Sequence, residues 1–195
     1  MRNVRLLAAV CLMSITATVA AELPRQAPEL AINLAPNKAI KLSEYRGKTV
    51  VLAFILTYCA HCHAVVRGLI KDQAELGPKG LQVVACAIED MAATAVPGFV
   101  RQFAPGFPVG YAPNTEALRF LQHPLHLGFY MPALVFIDKT GVIRAQYEGR
   151  DDMLKETTQE KTVREKILAV MDLPAASPVK PVPSRKTPPK KATPK

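Results

Sequence analysis

The stretch "TYCAHCH", residues 57–63, decides how this 195-residue chain is read. Cys59-Ala60-His61-Cys62 is a Cys-x-x-Cys pair of the kind that cycles between dithiol and disulfide. With His63 added, the same residues also satisfy Cys-x-x-Cys-His, the pattern through which c-type haem is attached. The residues on either side discriminate between the two chemistries.

Immediately upstream, "TVVLAFIL" (49–56) is a continuous β-branched and aliphatic run, the pattern of a strand covered on both faces. Downstream, "HAVVRGLIKDQAEL" places Val65, Leu69 and Ala74 or Leu76 at helical spacing, and Gly77-Pro78 stops it. The cysteines therefore sit where a buried strand turns into a helix. A second buried strand is expected at 81–88, a helix broken or kinked at Pro97-Gly98 at 92–103, and a short extended piece in "PVGYA". Next come a helix at 114–121 and two strands, 133–138 and 142–147, flanking a Lys139-Thr140-Gly141 turn. A final amphipathic helix is expected from Asp151 to Met171, with Leu154, Val163, Ile167 and Val170 inward. Two short strands around Pro36-Asn37 form an N-terminal hairpin extension, with a turn at Arg46-Gly47. This order predicts an α/β sandwich of three layers with a central mixed sheet.

The ends of the chain read differently. Met1 to Arg5 carries two cations and no acid, an uncharged run follows, and small residues precede Glu22. Residues 1–21 are therefore expected to be a cleaved secretory signal; a retained membrane anchor is the alternative. Cys11 lies inside it. Residues 174–195, "PAASPVKPVPSRKTPPKKATPK", alternate proline with small residues and cations and are expected to be a disordered basic tail. Residues 22–173 form the domain.

Signal and tail account for the net charge of +9, because without their cations the domain has 17 Lys and Arg against 16 acids. The charge is thus no sign of a nucleic-acid partner. Membrane contact would come only from a retained anchor or the tail. A monomer is expected. Exported cysteines meet oxidising conditions. Cys59 and Cys62 lie too close together to restrict the unfolded chain much, so the pair is read as reactive. Cys86, in an apolar strand, is read as an inert core residue.

"APELAINL" (27–34), "IKLSEYRGKTVVLAF" (40–54), "CAHC" and "MPALVFIDKTGVI" (131–143) together resemble the thioredoxin superfamily, specifically the exported TlpA/ResA-like thiol-disulfide oxidoreductases, over roughly Pro28 to Leu173. The resemblance implies that Cys59 is the nucleophile and Cys62 the resolving thiol. It also implies that Pro132 is a cis-proline facing the pair, with Tyr58, Met131 and Pro132 shaping a substrate groove. The Cys59–Cys62 disulfide would be the redox group, with no further cofactor and no metal. The expected partners are protein thiols or disulfides and an envelope redox donor or acceptor.

A helix N-terminus favours a Cys59 thiolate. The Ala60-His61 dipeptide is similar to those of oxidising relatives, and a protonated His61 would stabilise the thiolate and raise the potential above that of thioredoxin.

The chain also departs from the family. Tyr58 replaces the usual Trp, and the family's two acids would fall at Ala53 and Val65, leaving the proton acceptor for Cys62 unassigned.

Covalent haem would need His63 as ligand and a distal group from His123, His126, Met91 or Met131. Copper or zinc would draw on Cys59, Cys62 and His123 or His126. His123 and His126, with Phe129 and Tyr130, precede Pro132 and could line the groove. A peroxidase is disfavoured, because Thr57 lies two residues before Cys59 where three are usual.

Overall fold

The computed structural model describes residues 21–35, 38–124 and 126–174. Apart from Ala21 and Pro174, the signal and tail expectations lie outside the described residues, as does the 36–37 turn.

Four strands and a helix frame the cysteines: β1 (Arg25–Gln26), β2 (Ala31–Ala35), β3 (Lys38–Lys41), β4 (Thr49–Ile55) and α1 (Ala60–Leu76). They are followed by β5 (Leu81–Ala87), α2 (Ala92–Phe103), β6 (Val109–Tyr111), α3 (Asn114–Leu121), β7 (Ala133–Ile137), β8 (Val142–Tyr147) and α4 (Gln159–Met171). The strands form one mixed sheet in the order β1-β8-β7-β4-β5-β6-β2-β3. At its centre, Ala53 of β4 pairs in parallel with Ala85 and antiparallel with Leu134.

Alternation along β4 explains why its sequence is apolar from Val50 onward. Val51, Ala53 and Ile55 enter the core beneath α1, α2 and α4, whereas Val50, Leu52 and Phe54 enter the opposite core with α3 and the N-terminal hairpin. Neither face meets water, so no polar position interrupts the run. The expected three-layer sandwich is the observed one.

Two local expectations need correction. Pro97 does not break α2, which runs from 92 to 103. Its missing N–H frees only the carbonyl of exposed Ala93, while Val96 and Phe99 stay buried against the sheet. Nor does the last helix begin at Asp151. A 3₁₀ turn at Asp152–Leu154 buries Leu154, the backbone becomes extended at Lys155, and α4 starts at Gln159. Adjacent Thr157 and Thr158, whose β-branched side chains suit helices poorly, lie in the gap. The inward face of α1 carries Val65, Leu69 and, of the two residues offered at its end, Leu76.

Candidate functional site

The end of β4, the first turn of α1 and the residues after β5 meet at Cys59. Its backbone is extended (φ −84°, ψ 117°), and it is the N-cap of α1. There Sγ accepts from the Cys62 N–H at 3.3 Å, the role usually taken by a serine or aspartate oxygen. Cys59 N–H donates to the Leu56 carbonyl at 3.1 Å, and its own carbonyl accepts from His63 N–H at 3.0 Å. The sulfur so held lies at the N-terminal, positive end of the dipole of a 17-residue helix.

The two thiols differ in surroundings. Cys59 is half-buried, whereas Cys62 is 0% exposed within the core under α1. Burial, with a contribution from the hydrogen bond to Cys59, pushes the Cys62 thiol up strongly. Cys59, Cys62 and Cys86 are free thiols. Cys86 belongs to the other core, across the sheet from Cys62, and burial pushes its thiol up as well.

Between the cysteines, Ala60 is exposed and His61 is half-buried. His61 Nε2 donates to the Leu154 carbonyl at 2.7 Å and to Gln159 Oε1 at 3.0 Å. The ring thus ties the redox turn to the start of α4. Tyr58 is 73% exposed beside the nucleophile. The Met131–Pro132 bond is cis, Pro132 is buried, and half-buried Met131 packs against both cores. Ala53 and Val65, where the two acids would fall, are buried apolar positions.

His63 has its own employment. Nε2 donates to the Thr57 carbonyl at 2.7 Å, and the ring rests on Phe103 and Phe99 of α2 with centroids 4.9 and 5.8 Å away. The nitrogen that would face an iron is thereby engaged, and Cys62 is sealed from any thioether partner, so this arrangement does not fit covalent haem. His123 packs edge-on against Phe129 and lies 3.5 Å from Glu148, while His126 and Met91 are exposed. Tyr130 lies under Arg150, whose guanidinium is 3.4 Å from the ring centre. Among the described residues no cluster of three His, Cys, Asp or Glu side chains is placed to hold a metal ion.

Sequence reasoning missed Glu89. Its Oε1 accepts from Thr57 N–H at 3.0 Å and from the Thr57 hydroxyl, two residues before Cys59. The available signal was its place just beyond the carboxyl end of a buried parallel strand, where α/β sheets concentrate functional groups.

The AhpC/TSA family model matches residues 23–146. In sequence the chain is 25% identical over 139 residues to a protein named thiol-disulfide oxidoreductase ResA from Bacillus thuringiensis subsp. konkukian, covering 71% of this chain and 76% of that one. In structure it is similar to a thiol:disulfide interchange protein DsbE from Chlorobium tepidum, with a TM-score of 0.63, 25% identity, and coverage of 75% of this chain and 96% of that one. A secreted thiol-disulfide isomerase from Corynebacterium glutamicum shares the fold with a TM-score of 0.60 at 21% identity, over 74% of this chain and 82% of that one.

Proposed function

The chain belongs to the AhpC/TSA family, and we propose that within it this protein is an exported thiol-disulfide oxidoreductase acting on protein cysteines through Cys59 and Cys62. One observation carries the reading: an accessible sulfur caps a helix while its partner thiol, three residues on, is buried and held protonated.

In the reducing direction the Cys59 thiolate attacks a client disulfide and forms a mixed disulfide, releasing one client thiolate. Cys62 then attacks the Cys59 sulfur, expels the second client thiolate and gives up its proton to solvent as that leaving group takes one. The oxidised pair is recharged by an envelope dithiol; the oxidising direction reverses each step. Burial of Cys62 keeps it from competing as the entry nucleophile, since a neutral thiol attacks poorly. Tyr58, Met131 and Pro132 offer the client segment an aromatic wall and a backbone edge. His61, a cation when protonated, would raise the potential through space, because its Nε2 is turned toward Leu154. Export follows from the signal-like residues 1–21, in keeping with the relative described as secreted.

The test is capture. A Cys62→Ser variant expressed in an envelope should accumulate mixed disulfides with client proteins through Cys59, released by reductant and absent from Cys59→Ser/Cys62→Ser. Absence of any such adduct, together with failure of the wild-type protein to exchange with glutathione disulfide, sinks the reading.

A further inference from the structure

Thr57 stands between the end of β4 and the nucleophile, and all three of its polar groups are engaged. Its N–H and hydroxyl donate to Glu89 Oε1, and its carbonyl accepts from His63 Nε2. Glu89 reaches it from beyond β5, whereas His63 reaches it from the first turn of α1 and is itself braced on Phe99 and Phe103 of α2. The peptide leading into Cys59 is therefore clamped from two sides by side chains whose hydrogen bonds go to Thr57 and not to the sulfur. Exposed Tyr58 adds no hydrogen bond to this clamp.

The other carboxylate oxygen sets Glu89 apart from an acid kept for stability. Oε2 is buried and, among the described residues, has no hydrogen-bond partner. Asp138 provides the contrast, since its two oxygens accept from Thr140, Val142 and Arg144. A carboxylate oxygen buried without a donor costs stability. Among the described residues no cation pairs with Glu89; its hydrogen bonds all go to Thr57. The cost thus goes toward fixing one residue of the loop that presents the nucleophile.

We propose that Glu89 is a positioning residue of the redox site, acting through Thr57 and together with His63 to hold the Cys59 sulfur in the N-cap of α1. The proposal rests on the reading of Cys59 as nucleophile. It also accounts for the histidine of the haem-like pattern, because His63 is the second jaw of the clamp.

The test uses the reduced full-length protein with Cys11→Ser in every variant, and the rate of Cys59 alkylation by iodoacetamide across pH, because the buried Cys62 and Cys86 thiols are shielded. Glu89→Ala should slow alkylation at neutral pH roughly tenfold, the scale of one net hydrogen bond, and move the midpoint of the pH profile upward. Glu89→Gln keeps an oxygen for Thr57 and should recover most of the loss. His63→Phe keeps a ring against Phe99 and Phe103 but loses the bond to Thr57, and should shift the midpoint in the same direction. Because both jaws act on one peptide, Glu89→Ala/His63→Phe should be less impaired than the product of the single effects. A wild-type midpoint in Glu89→Ala, a Glu89→Gln as impaired as the alanine, or multiplicative effects in the double variant would each overturn the proposal. Should Glu89→Ala fail to fold, Thr57→Val removes only the hydroxyl donor and should shift the midpoint in the same direction; an unmoved midpoint there overturns it. If the wild-type protein exchanges with glutathione disulfide while these variants match it, only the role of Glu89 falls. If the wild type does not exchange, the functional reading itself falls.

Discussion

Raising the pH should destabilise the reduced protein through two buried thiols. Cys62 and Cys86 are both 0% exposed, and burial is the main cause holding each above the ordinary value of 9.0. In a pH range where the unfolded chain has begun to ionise at these positions, the folded chain still carries both protons. The folded state then binds more protons than the unfolded state, so stability falls as pH rises. The contribution is intact below 9.0 and is lost progressively above it. Each thiol has a limiting slope of about 1.4 kcal/mol per pH unit. Because the unfolded thiol is half ionised at 9.0, the loss between pH 9 and 10 is roughly 1 kcal/mol per thiol, or about 2 kcal/mol for the pair. Urea unfolding under reductant at pH 8, 9 and 10 measures it, run beside Cys62→Ala, Cys86→Ala and the double variant. Truncation lowers stability at every pH through lost packing, but the slope isolates ionisation. Each single variant should remove about half of the excess slope and the double nearly all of it, given the two equal contributions. A double variant with the wild-type slope would refute the reasoning.

Three further outcomes are expected. A Cβ at position 149 would lie 2.4 Å from the Met131 carbonyl oxygen, and backbone cannot yield cheaply. Gly149→Ala should therefore cost about 1–3 kcal/mol and lower kcat/KM for a protein disulfide, with an unchanged unfolding midpoint as the contrary result. Asp72 is buried, its protonation pushed up by that burial against the opposing pull of Arg164, whose Nη1 is 2.8 Å away. Arg164→Leu should lower stability at neutral pH and progressively less in acid as the stranded carboxylate protonates; a pH-independent loss would contradict this. For His61→Ala, the glutathione-equilibrated potential should fall toward that of thioredoxin, and a potential that stays or rises would remove His61 from the tuning role.

Much of the framework was legible because its signals are local. Helix 114–121 and strand 142–147 have the limits expected from periodicity and turn residues. The double-sided burial of β4 and β5 was written in the apolar runs 50–55 and 83–87. Where local preference and packing disagreed, packing prevailed: α2 tolerates Pro97 because its buried face continues past it. Strand β1 is only two residues long and exists through pairing with Val142 and Ile143, so no periodicity could announce it.

At the site, the order of residues along the chain was enough to establish the two cysteines, their spacing and the helix that begins between them, since these depend on near neighbours. Which thiol is sealed, where His61 points and what surrounds Thr57 were settled only by folding. His61 meets Gln159, 98 residues away, and Glu89 meets Thr57, 32 residues away. Contacts of that kind are made by the order of strands in the sheet and leave no local trace. The sequence showed no acid at Ala53 or Val65; the fold brings Glu89 to the redox loop from the next strand, because β4 and β5 run parallel and end side by side.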